Sequence, residues 1–215
     1  MKFEISNNSP LEIETNWLVV GIFEEAEFSE SLQELDEKLE GSLSRVQERK
    51  DLTGKLGELT ILADVPQLSA ERVIVVGLGK HDKLTIGSLS KAYTTAFRHL
   101  ATKENQSLVI MVPEGASSAL GEGHSIERLV DVATVACSRQ NIYSTEQDRY
   151  EFENVLLCGV SDFEVNQNAL EKGLILGEAV NLTRELVNRH PDDLYPETFA
   201  QRAADEAADI HLQGE

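Results

Sequence analysis

The sequence predicts an α/β fold, with a mixed β-sheet covered by helices on both faces in three layers and followed by one long helix. Two observations predict it. Short apolar runs of strand length alternate with segments whose apolar residues recur at helical spacing, the pattern of helices laid on a sheet. From Asn168 onward that alternation gives way to one continuous helical pattern reaching Asn188.

In chain order, Phe3–Ile5 and Trp17–Phe23 read as the first strands. Ser31-Leu-Gln-Glu34 has capping-box spacing, in which Ser and Glu side chains satisfy helix-end amides, and Leu32, Leu35 and Leu39 share one helical face. Leu59–Ala63 and Arg72–Val76 are the next strands. Neither the Phe3/Trp17 pair nor the Leu59/Arg72 pair leaves room for a crossover helix, so both are expected to be antiparallel neighbours. Leu89, Ala92, Tyr93, Ala96, Phe97 and Leu100 repeat as the buried face of a helix. The Leu108–Val112 strand follows, then a second such helix marked by Ile126, Leu129, Val130, Ala133, Ala136 and Cys137, and then the strand Val155–Val160.

In the segment 168–188 the apolar positions, among them Leu174, Ile175, Leu176, Val180 and Val187, exceed one face, which predicts contact from two sides. Gly173 and Gly177 each cost about 1 kcal/mol against Ala in an exposed helix, so close packing against another backbone is expected there. Pro191 and Pro196 end this helix and start another, with Pro196 in its first turn. Phe199, Ala200, Ala203, Ala204, Ala207 and Ala208 mark that helix's expected buried face, and Ile210-His-Leu212 reads as the start of something extended.

Composition excludes several functions. There are 38 acidic against 19 basic residues, a formal net charge of −19. Such a surface repels phosphate backbones, and the most basic stretch, Arg45-Val-Gln-Glu-Arg-Lys50, is interrupted by Glu48, so no nucleic-acid partner is expected. Cys137 and Cys158 lie in apolar segments, as buried free thiols do in a reducing compartment. Met1-Lys-Phe-Glu-Ile5 has no signal-peptide character, and no run approaches the roughly 20 apolar residues of a membrane span. A cytoplasmic protein without a membrane partner is expected.

Few residues read as chemistry. Gly77 and Gly79, after the Arg72 strand, begin like a dinucleotide fingerprint, but its third glycine would fall on Asp82, whose carboxylate repels pyrophosphate. They stand as a possible ligand loop or, on the plainer reading, a strand-exit turn. Thr53-Gly-Lys-Leu-Gly-Glu58 lacks phosphate-loop spacing and reads as a turn. His81, His99, His124, His190 and His211 form no metal-binding spacing, and no nucleophile signature is present. Asp192-Asp193 reads as a turn cap. No catalytic, metal-binding or cofactor-binding residue is therefore assigned.

Three passages, in this order, resemble the N-terminal region of the leucyl aminopeptidase family, the cytosol aminopeptidases. They are Gly54-Lys-Leu-Gly-Glu58, then Arg72-Val-Ile-Val-Val-Gly-Leu-Gly-Lys80 with Leu84 and the Leu89–Leu100 helix, then Asn181-Leu-Thr-Arg-Glu-Leu-Val-Asn188 followed by Pro191 and Pro196-Glu197. His190 stands where the family often has proline, and Tyr195 where it has a Thr cap.

The resemblance implies a macro-domain-like accessory domain over residues 1–165, an interdomain helix over 166–189, and the first piece of a peptidase domain over 190–215. In the family that later domain assembles as a hexamer and holds two divalent metals, zinc or manganese, through carboxylates and a Lys. A bridging water there attacks the peptide carbonyl. Motifs of the N-T-D-A-E-G-R kind carry those ligands, and none occurs here. The resemblance thus implies a non-catalytic chain without a cofactor of its own. Its expected partners are its own peptidase domain, further copies of itself and, through the peptidase domain, peptides. The alternatives are an ADP-ribose or nucleotide-binding macro-type module and, disfavoured by charge, a nucleic-acid regulatory domain.

Overall fold

The computed structural model describes residues 1–104, 106–138 and 143–209. The chain opens with β1 (Lys2–Ser6) and β2 (Thr15–Ile22), then α1 (Glu30–Lys38) and α2 (Ser42–Glu48), β3 (Leu59–Leu62) and β4 (Ala70–Gly77). It continues with α3 (Ile86–Leu100), β5 (Leu108–Met111), α4 (Ala116–Leu120), α5 (His124–Cys137) and β6 (Asn154–Cys158). The long helix α6 (Phe163–Asn188) and α7 (Pro196–Asp209) complete it. The Ile210–Leu212 expectation lies outside the described residues.

The six strands form one sheet in the order β1-β6-β5-β2-β4-β3, with every pair parallel except β3–β4. Strand alternation divides the core in two. Trp17, Val19, Ile74, Val76, Leu108, Ile110, Val155 and Leu157 face α3 and α5, where Tyr93, Phe97, Leu129 and Ala133 complete one core. Their sequence neighbours Leu18, Val20, Val73, Val75, Val109 and Met111 face α1 and α2, with Leu32, Leu35 and Leu43. The three-layer mixed-sheet expectation is met, as is the antiparallel β3–β4 pair.

The β1–β2 pairing is corrected. β1 lies at the far edge, parallel to β6 with Phe3 opposite Val155, and β6 and β5 separate it from β2. The reason is burial. Trp17–Ile22 is buried throughout and needs a neighbour on each side, whereas β1 buries Phe3 but exposes Lys2 and Glu4, which suits an edge. The connection between them sends Leu11 into the second core beside Leu18 and Val20.

The capping box at Ser31 is also corrected. α1 begins at Glu30, and Ser31 inside its first turn bonds through both its N–H and its hydroxyl to the Glu114 carboxylate. A capping box does form at Thr85 and Ser88, at the head of α3. α6 starts before Asn168, because the Asp162 carboxylate accepts from the Val165 N–H at 3.0 Å and caps the helix there.

Candidate functional site: the long helix and its exposed faces

The inner face of α6 is seated on α5 through its two glycines. A Cβ at Gly173 would stand 2.5 Å from the Glu127 carbonyl oxygen, and one at Gly177 2.7 Å from Thr134 Cβ. Further along, Asn181 Nδ2 donates to the Thr134 carbonyl (3.1 Å) and Arg184 to the Val135 carbonyl (3.1 Å). These carbonyls belong to the last turn of α5, which has no intrahelical partners for them. Burial, with Arg98 nearby, lowers the Arg184 pKa.

The outer face of α6 is bare. Ile175 is 67% exposed and Val187 77%, with Leu176 and Val180 between them also exposed. At 100° per residue Leu176, Val180 and Val187 fall within about 40° of one another on the flank of the glycine face, and Ile175 lies opposite the glycines. Besides α5, the helix meets β1 and, through Glu185, Arg202 of α7, but among the described residues these contacts leave the four aliphatic side chains open. α7 is corrected in the same sense. Phe199, Ala200, Ala203, Ala204 and Ala208 are exposed and Ala207 half-buried, while Thr198, Arg202 and Glu206 take the inward positions. Charge holds it in that pose, since Arg202 reaches Glu206 (2.8 Å) and Glu185 (3.7 Å), and Glu185 also binds Arg189.

The α6–α7 turn is fixed by Tyr143. Its hydroxyl accepts from the His190 N–H and donates to the Asp193 carboxylate, both at 2.6 Å. The bond to Asp193 raises the Tyr143 pKa. Asp192 pairs with His190 Nδ1 at 3.3 Å, so the Asp pair organises a turn. Thr198 Oγ1 accepts from the Tyr195 N–H at 2.9 Å, which supplies from inside the helix the cap that Tyr195 itself lacks.

At the carboxyl-terminal edge of the sheet, Gly77 and Gly79 lie in a closed backbone network. The Gly77 N–H donates to the Glu58 carbonyl (2.9 Å) and the Gly79 N–H to the Gly54 carbonyl (2.8 Å). The Glu58 carboxylate accepts from the N–H groups of Thr53 and Gly54, both at 2.8 Å. A Cβ at Gly77 would run into the Lys55 carbonyl, so close approach of two backbones explains the glycine.

The crevice between the ends of β2 and β5 is where sheets of this kind bind ligands. Here it shrinks to about 40 Å³, lined by Gly21, Phe23, Phe28, Pro113 and Glu114. The Glu114 carboxylate sits on the first turn of α1, where a phosphate would otherwise be favoured. Ser31, followed by the backbone N–H of Ser31 and the groups of Ser29 and Glu30, holds its pKa below 4.5 against a smaller effect of burial. Sequence reasoning did not find Glu114, because nothing local ties it to a helix more than 80 residues earlier.

Among the described residues no group of three or more His, Cys, Asp or Glu side chains could hold a metal ion. Two bridged divalent cations do not fit the described residues. His81 packs edge-on against Phe23 at 4.7 Å. Cys137 and Cys158 are free and buried. No described helix is long and apolar enough to cross a membrane.

The fold and its surfaces define an α/β domain of mixed sheet that carries a helical extension with uncovered apolar faces. The sequence profile of the cytosol aminopeptidase family's N-terminal domain matches residues 19–147, more than half of the chain. The chain belongs to this family and represents its N-terminal domain. It is similar to a probable cytosol aminopeptidase of Geobacter sp. (strain M21), 31% identical over 98% of the chain and 42% of that protein. A second similar protein, from Koribacter versatilis (strain Ellin345), is 27% identical over 99% of the chain and 45% of its own length. The chain thus spans less than half the length of these curated relatives. A variant of tomato leucine aminopeptidase shares the fold, with a TM-score of 0.81, 19% identity, and coverage of 97% of this chain and 42% of that one. The bottromycin maturation enzyme BotP in complex with Mn does so with a TM-score of 0.70 and 18% identity, over 93% of this chain and 37% of that one.

Proposed function

We propose that this chain is the non-catalytic accessory domain of a cytoplasmic, leucyl-type metalloaminopeptidase that releases N-terminal amino acids from peptides. Residues 1–165 form the accessory domain, 166–189 the interdomain helix, and 190–215 the first part of the peptidase domain. That domain would carry the two divalent metals, zinc or manganese. The work of this chain is structural: it positions the peptidase domain within a hexamer and shapes access to the active sites.

The observation that carries the reading is the set of exposed apolar side chains on α6 and α7, beside a core that is otherwise closed. Covering Ile175, Leu176, Val180, Val187 and Phe199, which are partly buried already, would contribute about 1 kcal/mol for each side chain, together enough to help hold a neighbouring domain in place. The closed network around Gly77 and Gly79 and the occupied α1 terminus leave those turns a structural part in this scheme.

The test is hydrolysis of leucine p-nitroanilide with added Mn²⁺ or Zn²⁺. The 215-residue chain is expected to be inert, and a longer protein that continues into a carboxylate-rich domain is expected to be active. Metal-dependent turnover by the 215 residues alone would refute the assignment.

A further inference from the structure

A cleft of about 340 Å³ opens at the amino-terminal edge of the sheet, opposite the glycine turns. Its size is near the lower end of the roughly 300–1,000 Å³ typical of small-molecule sites. Trp17 of β2, Ile61 of β3 and Leu100 of α3 supply apolar wall, and Arg72 of β4, His99 and Lys103 supply donors. No carboxylate lines it among the described residues, although acids outnumber bases two to one in the whole sequence.

The Arg72 guanidinium is already placed, with its central carbon 5.1 Å from the Trp17 ring centroid. The Trp17 indole is itself held by Gln106, to which its N–H donates at 2.9 Å. Glu71 touches Arg72 at 3.5 Å from outside the lining. Lys103 has no ion-pair partner among the described residues. Cations near the end of α3 also offset its helix dipole, but that does not account for Arg72 and Trp17 arriving from two different strands. The overall charge of −19 does not forbid an anion here, since repulsion from the rest of the surface is largely screened beyond about 8 Å at physiological salt.

We propose that this cleft binds a carboxylate borne by an aliphatic residue whose amino group is blocked, as at the C-terminus of a peptide ending in leucine. The two carboxylate oxygens match the guanidinium fork of Arg72, with Lys103 as a second, mobile charge. The aliphatic side chain lies against Ile61 and Leu100. A free amino acid fits less well, because its ammonium finds no acid in the lining. The proposal does not depend on the peptidase reading, and a negative result here leaves that reading intact.

Trp17 is the only tryptophan of the chain, so its fluorescence reports on this cleft directly. Titration of the 215-residue chain with N-acetyl-leucine and with an acetylated pentapeptide ending in leucine is expected to give a saturable change. N-acetyl-leucinamide and free leucine should bind at least about tenfold more weakly, as should N-acetyl-leucine to Lys103→Gln, which leaves the Arg72–Trp17 stack in place. Far-UV circular dichroism and thermal melting verify that the variant is folded, and Arg72→Gln, followed by amide chemical shifts, gives an independent second reading. Tighter binding of the pentapeptide than of N-acetyl-leucine identifies a peptide terminus, and equal binding identifies the terminal residue alone; either supports the proposal. Equal affinity for the amide, no saturable response up to about 10 mM, or indifference to both substitutions would overturn it.

Discussion

Replacing Gly173 by alanine sets two effects of opposite sign against each other. In an exposed helix the change is favourable by about 1 kcal/mol, since alanine restricts the unfolded chain and has the higher helix propensity. At this site the new Cβ meets the Glu127 carbonyl oxygen at 2.5 Å and Val130 Cβ at 2.9 Å. The first neighbour is helix backbone, which no rotamer change can move, so α6 must lift away from α5. Overpacking of this kind costs about 1–3 kcal/mol. Lifting also lengthens the Asn181 and Arg184 bonds to the end of α5, each worth about 1 kcal/mol. The net expectation is destabilisation by about 2 kcal/mol. Gly87→Ala in α3 is the control, because its Cβ would meet nothing closer than Thr85 Oγ1 at 3.8 Å. That change should be neutral or stabilising by up to about 0.5 kcal/mol, less than the mid-helix value because it lies in the first turn. Urea denaturation of both variants, followed by circular dichroism, measures the pair. If Gly173→Ala raises the midpoint as Gly87→Ala does, the close α5–α6 seat is wrong.

Glu114→Gln removes an anion from the first turn of α1, and the loss at pH 7 is expected to be about 1 kcal/mol or less because the carboxylate is largely solvated. Its pKa lies below 4.5 in the folded protein, so its contribution is present above that value and is lost as pH falls through the folded pKa. Melting temperatures of wild type and variant should therefore converge on acidification below pH 4.5, and parallel curves would contradict the assignment. Tyr93 is fully buried, with its hydroxyl unpaired among the described residues and its pKa pushed up by burial. Tyr93→Phe should leave stability unchanged or raise it by up to about 1 kcal/mol, and a loss larger than that would reveal a bond to this hydroxyl. Burial pushes the Cys137 thiol up to about 12 and Cys158 to about 11, so neither forms thiolate near pH 8. Ellman's reagent should find no thiol in the native chain and two in denaturant, and native reaction would show that the core opens.

Periodicity located the strands and helices because each is built from short-range repetition. It could not place β1. A run of three apolar-alternating residues fits either edge or centre, and only the burial of every position from Trp17 to Ile22 decides which strand takes the middle. The true α1 terminus was hidden for a related reason. Ser31-Leu-Gln-Glu34 has the local capping pattern, but Glu114 competes for the same donors and arrives from the turn after β5. At Gly77 the glycine signal was legible and its cause was not, because Lys55 approaches from a turn 22 residues away.

The misreading of α6 and α7 is of another kind and bears on the proposed function. Apolar spacing in Ile175, Leu176, Val180 and Val187 predicts cover on a second side, and the Phe199–Ala204 face predicts cover for α7, yet both lie open here. A solvated helix face gains nothing from exposed aliphatic side chains and is left open by them to nonspecific association. Charged residues would serve better there, as they do at Lys2 and Glu4 on the open edge strand. The α5–α6 seat, with its two glycines and two cross-helix hydrogen bonds, already holds the helix without those side chains. They are therefore surplus to the stability of this domain. If they serve as the contact with a following domain, Val187→Lys should leave the melting temperature of the 215-residue chain almost unchanged, as surface substitutions do within about 0.5 kcal/mol. In the longer protein the same change would bury an unpaired charge and weaken the assembly, which sedimentation would detect. A variant that destabilised the isolated chain as strongly as the longer protein would place these side chains in this domain's own core and remove the argument for a partner.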